Sequence, residues 1–165
     1  MSHHSTITST QRKVAVGGAA VFGGVTLLAL LAAWFPDSGL HAFFATACQQ
    51  HPERAHWVAG SPVAVCVRCF WLYAGLAAGH AWFAFGGGVP RGRLAFLVTS
   101  LAAAALHWLF GWTALFPDLI ALRALTGLCV GLAVSVYTLP GFVEWFSRQS
   151  KRISSSSYTY EPNRS

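Results

Sequence analysis

Charge is what this sequence has least of. Only 10% of its 165 residues are Asp, Glu, Lys or Arg, and just five are acidic. A soluble domain of this size carries roughly 25% charged residues. So little charge cannot cover a water-facing surface. The apolar surplus, 55% of the chain with mean hydropathy +0.51, therefore has to face lipid. The five acids (Asp37, Glu53, Asp118, Glu144 and Glu161) are too scattered for the paired carboxylates of hydrolytic chemistry. No nucleotide-binding glycine loop and no nucleophile elbow occur either. The second C-x-x-C that would complete a zinc ribbon is also missing.

Long apolar runs are what the chain has instead. A membrane span needs roughly 20 apolar residues, and Val14 to Phe35 supplies them without one charge. That run exceeds the roughly 7–15 residues of a signal-peptide core, so a retained helix is expected. Further spans are expected at 63–85, 94–114 and 119–146. Gly86-Gly87-Gly88-Val89-Pro90 and the Phe116-Pro117-Asp118 turn separate them, and Asp118 is a candidate cap for the last. Residues 1–13, with His3 and His4, and the basic stretch 147–165 are polar and Ser-rich, and are expected to be disordered. Leu40, Phe43, Phe44 and Ala47 recur at helical spacing, which predicts a short amphipathic helix on the membrane surface. The expected fold is all-α: an integral membrane bundle of four transmembrane helices, with that short helix between the first and second.

The net charge of +6 does not mark a nucleic-acid binder, because the cations form short clusters between apolar runs rather than one basic face. Arg12 and Lys13 precede the first span, Arg91 and Arg93 separate the second and third, and Arg148, Lys151 and Arg152 follow the fourth. The positive-inside rule then puts both termini in the cytoplasm, with the chain in the cell inner membrane and 36–62 facing outward. The expected partners are the lipid bilayer and either further copies of the chain or a larger membrane complex. Gly75 and Gly79, and Gly127 and Gly131, form small-xxx-small patterns that allow helices to approach closely.

Three cysteines carry the chemistry. Cys66 and Cys69 are three residues apart and share a helical face, and Cys48 reaches the same level from the preceding connection. His41, His51 and His56 are near in sequence. Thiolates and imidazoles suit zinc first, then iron or copper, with Cys48, His51, Cys66 and Cys69 as candidate ligands. A C-x-x-C pair can equally cycle between dithiol and disulfide, with Cys48 as exchange partner. Packing thiols, or a structural disulfide in a non-catalytic accessory subunit, form a third reading, and all three stand at this level. Arg54, Arg68, Tyr73 and Arg123 are the supporting residues. Arg68, between two cysteines, is expected to favour thiolates. Intramembrane charges such as Arg68 and Arg123 are functional candidates. His80 and His107 read as hydrogen-bonded packing groups, and Cys129 as packing.

The stretches Cys48-Gln-Gln-His-Pro-Glu-Arg54, Cys66-Val-Arg-Cys69 and Tyr73-Ala-Gly75, followed by Leu122-Arg123-Ala-Leu-Thr126-Gly127 ending at Gly131, resemble a family of small prokaryotic membrane proteins, domain of unknown function 2085. Its motifs run C-H-Q-x-P-x-R-S, C-x-R-C-x-G-x-Y-x-G and L-R-x-x-T-G-x-x-x-G. The resemblance covers residues 48–131, about half the chain. Gln49 stands where the family has His, with His51 two positions later. Ala55 replaces Ser, and Trp71 replaces Gly. His107 falls where the family's third helix often carries an acid. The resemblance implies a membrane protein built around a Cys/His/Arg cluster and carries no activity with it.

Overall fold

The computed structural model describes residues 9–88, 90–112 and 119–157. The Pro117 turn and the cap expected of Asp118 lie outside them, as do His3 and His4. The chain forms α1 (Ser9–Trp34), α2 (Leu40–Ala45), β1 (Ala55–Val58), β2 (Ser61–Cys66), α3 (Val67–Ala84), α4 (Arg93–Trp112) and α5 (Ile120–Ser157). Three of the helices, α1, α4 and α5, are long and apolar enough to cross a membrane.

Contacts along the helices fix their directions. Ala15 of α1 clusters with Ala84 of α3 and with Leu139 and Val143 of α5. At the opposite end, Ala29, Ala32 and Ala33 cluster with Phe44 and Val63–Val65, and Phe70 and Tyr73 pack against them. So α1 runs antiparallel to α3. Gly127 meets the backbone of Arg68, and Gly79 meets Ser135, so α3 and α5 run parallel. Arg68 bonds His107, and Arg93 lies over the Tyr137 ring, which makes α4 antiparallel to both. In consequence Arg12 and Lys13, Arg91 and Arg93, and Arg148 all gather at one end of the bundle, and the three cysteines lie at the other.

The α3–α5 contact is made backbone to backbone. A Cβ at Gly75 would fall 2.5 Å from the Leu128 carbonyl oxygen, and one at Gly131 would collide with that of Leu72. Only hydrogen fits at these positions, so the helix axes come close enough for dispersion contacts that lipid cannot supply. By contrast α4 is exposed along most of its length, with Leu94, Val98, Leu106, Trp108 and Leu109 all outward, as a lipid-facing helix must be.

The connection from α1 to α3 differs from expectation. It is not purely helical: β1 and β2 pair antiparallel, with Val58 opposite Ser61 and Trp57 opposite Pro62. The two-residue loop Ala59-Gly60 has φ of 52° and 83°, the left-handed pair that a tight hairpin turn requires. Residues 63–66, expected to open the second span, are strand, and the helix starts at Val67. β-Branched Val63 and Val65 favour the strand and are buried in protein rather than in lipid. The expected amphipathic helix shrinks to the six residues of α2. Phe44 is buried but Phe43 is 64% exposed, and the chain turns at Thr46 and Ala47. α1 already begins at Ser9 and α5 continues to Ser157, because polar residues without Gly or Pro do not stop a helix. A Glu144–Arg148 pair one turn apart supports the extension.

Candidate metal centre

Two separate segments deliver the three thiols. Cys48 follows α2, where its N–H donates to the Phe44 carbonyl, 3.0 Å. Cys66 ends β2 and caps α3, and Cys69 lies in the first turn of that helix. Gln50 ties the segments together. Its side-chain amide donates to the carbonyl oxygens of His41, 2.6 Å, and Ala64, 2.7 Å. Sequence reasoning missed this residue as part of the site, although it matches the glutamine of the C-H-Q motif.

The result is a cluster of three sulfurs, all within 4.8 Å of one another, on half-buried side chains. A tetrahedral metal with bonds of about 2.3 Å to sulfur needs thiolates roughly 3.8 Å apart, so a small contraction would make the trio a fitting donor set. The Cys66 N–H donates to the Cys48 sulfur, 3.2 Å. The Cys66 thiol is pulled down from 9.0 to about 5. Its largest cause is a hydrogen bond from the Cys69 thiol, opposed by burial. The backbone N–H groups of Cys69 and Arg68 and the Cys48 side chain add to the lowering. These amides belong to the first turn of α3, whose positive dipole end acts in the same sense.

Other predicted residues fall elsewhere. His51 does not join the sulfurs. Its ring nitrogens lie 3.4 Å from the Glu53 carboxylate and 3.3 Å from the Gln49 side-chain oxygen, and the residue is exposed. The cause is local: Gln50 has φ of 50°, and Pro52 opens a short 3-10 turn, so the C-x-x-H segment is not helical and His51 is turned away. His56 accepts a bond from the Trp71 indole, 3.0 Å, and His41 lies 3.3 Å from the Pro62 carbonyl oxygen. Among the described residues no His, Asp or Glu completes the cysteine trio. Tyr73 packs one turn below Cys69, in the cluster that also holds Cys48.

Arg68 acts on the Cys66 thiol through its backbone amide. Its guanidinium turns to α4, where it donates to His107 Nδ1, 2.8 Å. Arg123 on α5 is within electrostatic reach of Arg54, Arg68, Cys66 and Glu53, and Arg54 is beside Glu53, 3.9 Å. His80 sits deep between helices, its Nδ1 2.8 Å from the Leu76 carbonyl oxygen and 3.0 Å from the Ser135 hydroxyl.

An uncharacterized protein of Methanocaldococcus jannaschii is 29% identical over 115 residues, 68% of this chain and 74% of that one. No solved structure matches. The model of a family described as predicted membrane protein (DUF2085) matches residues 48–137, a stretch that contains Cys48, Cys66, Cys69 and both glycine pairs. This chain belongs to that family.

Proposed function

We propose that this chain is a four-span protein of the inner membrane that holds a transition metal, zinc first, through Cys48, Cys66 and Cys69. The convergence of three sulfurs within 4.8 Å carries the reading. Thiolates already stabilised by backbone amides lose less free energy when they leave water for a cation. A tetrahedral ion on three thiolates keeps a fourth position for water or an incoming ligand, the arrangement of sites that exchange ligands.

In this reading α3 is the fourth span. Its 18 residues extend about 27 Å, close to the roughly 30 Å of a bilayer core. It lacks the sustained apolar window of the other three, and α1 and α5 flank it, which keeps Arg68 and His80 away from lipid. With the basic clusters gathered at one end of the bundle, the positive-inside rule puts both termini in the cytoplasm and the cysteines at the opposite face. Protein purified anaerobically under reducing conditions should contain about one equivalent of metal by elemental analysis. Wild-type protein without zinc, iron or copper would sink the reading.

A second reading is thiol–disulfide exchange. The Cys66 thiol, pulled down to about 5 at a helix N-terminus, resembles an attacking thiolate, with Cys48 and Cys69 in reach. It predicts a thiol count that changes reversibly between oxidant and reductant in metal-free protein. If the count does not change, or if Cys66→Ser leaves the change intact, this reading goes.

A further inference from the structure

Arg68 is a cation held inside the bundle with no carboxylate on its fork among the described residues. Among the described residues, its guanidinium meets a single acceptor, the neutral ring nitrogen of His107 at 2.8 Å. Its Nε is buried and has no hydrogen-bond partner. Cys66 and Cys69 occupy one face of α3, and Arg68 projects about 100° round the helix from Cys69, so the sulfurs do not neutralise it. Two further cations lie close: Arg123 is within electrostatic reach of both Arg68 and Arg54, in a circle that also holds the Cys66 sulfur and Glu53, and Glu53 sits against His51 and Arg54. Because His107 Nδ1 accepts from the guanidinium, a neutral ring carries its proton on Nε2 and offers a further donor.

Buried donors of a guanidinium are costly when unmet. The planar fork matches an oxyanion with two parallel hydrogen bonds. We propose that Arg68, with His107 and Arg123, forms an oxyanion-binding site of the phosphate class beside the cysteine cluster, built between α3, α4 and α5. The ligand is a phosphate group, carried either by an anionic lipid or by a soluble molecule. The depth of Arg68, in the first turn of α3, suits a headgroup, and the same chemistry suits free phosphate. The site does not rest on the metal.

The test uses the full chain, delipidated in detergent, with two probes. One is inorganic phosphate, followed by equilibrium dialysis. The other is phosphatidylglycerol, followed by native mass spectrometry. Wild-type protein should bind at least one, and the probe retained assigns the source. Arg68→Gln should weaken that binding by about tenfold or more, the effect of one charge-assisted bond. Arg68→Lys, which keeps the charge and loses the fork, should fall between the two. Arg123→Gln serves as the second variant if Arg68→Gln does not fold, and should weaken binding in the same sense. Replacing all three cysteines by Ser should leave binding intact. The proposal is overturned if wild-type protein binds neither probe, if the arginine variants bind as wild type does, or if the cysteine variant loses binding.

Discussion

Gly127→Ala tests the packing on which both sites depend. The new methyl would meet the Arg68 carbonyl oxygen well inside the 3.0 Å that Cβ atoms keep, with the Arg68 carbonyl carbon at 3.2 Å and Cα at 3.3 Å. All three atoms are backbone, so no side chain can swing aside. The helices would have to part by roughly 1 Å to restore ordinary contact. Overpacking of this kind costs about 1–3 kcal/mol, offset by up to about 1 kcal/mol from alanine's better helix propensity. A net loss near 1.5 kcal/mol would lower the melting temperature by roughly 3–6 °C. The displaced turn is also the one that carries Cys69, so metal affinity should fall by about tenfold, the equivalent of about 1.4 kcal/mol. The control is Gly24→Ala on α1, where nothing lies within 4 Å; it should melt at or slightly above the wild-type temperature. Gly79→Ala should cost about as much as Gly127→Ala, because it meets the Ser135 Cβ at 2.5 Å, an atom that no side-chain rotation moves. The assay is thermal unfolding in detergent by circular dichroism, followed by competition with a chelator. If Gly127→Ala and Gly24→Ala melt alike, the close α3–α5 contact is wrong.

His51→Ala should leave metal content unchanged, whereas Cys48→Ser should reduce it below half an equivalent by elemental analysis; equal losses would return His51 to the ligand set. In reduced, metal-free protein, alkylation of Cys66 by iodoacetamide should be nearly independent of pH above about 6 and fall as pH drops through about 5. The sign follows from the thiolate being the nucleophile, with the folded state holding its proton more weakly than a free thiol does. An alkylation midpoint at pH 8–9 would remove the thiolate argument. Reporter fusions in the 86–93 connection should report cytoplasm, and fusions in the 46–54 segment should report the opposite side. A fusion pattern with both connections on one side would refute the four-span reading.

Much of this molecule is legible in the sequence, and the misreadings have definite causes. The runs that become α1, α4 and α5 are visible because lipid demands sustained hydropathy over the full length of a helix. The start of α3 is not visible, because a strand buried in protein and a helix buried in lipid both read as apolar runs. Val63–Cys66 joins seamlessly to the helix that follows. The hairpin signal is muted in the same way, since Ala59 takes a positive φ usually held by Asn, Asp or Gly. Cys66 and Cys69 are legible from their spacing alone. The place of Cys48 beside them depends on Gln50 and the fold of the connection. His51 looks like a ligand only if Cys48-Gln-Gln-His51 is helical, and the positive φ of Gln50 breaks that assumption. The direction of the Arg68 side chain is set by His107, 39 positions away, which no local pattern encodes.

The polar chemistry lies on α3 for a physical reason. A thiolate, a guanidinium or an imidazole facing hydrocarbon would cost several kcal/mol, so such groups need a helix covered on more than one side. α3 is that helix: α1 packs against it near Gly18 and His80, and α5 packs against it along Gly75 and Gly79. The glycines permit the enclosure, because larger residues would hold α5 away and leave gaps for lipid beside Arg68. Enclosure in turn relaxes the hydropathy that α3 itself needs, and α3 is the one of the four long helices described that lacks a sustained apolar window. α4 touches lipid over most of its surface and contributes His107 where it meets Arg68. The glycine faces, the low hydropathy of α3 and the position of the cysteine cluster are therefore parts of one arrangement.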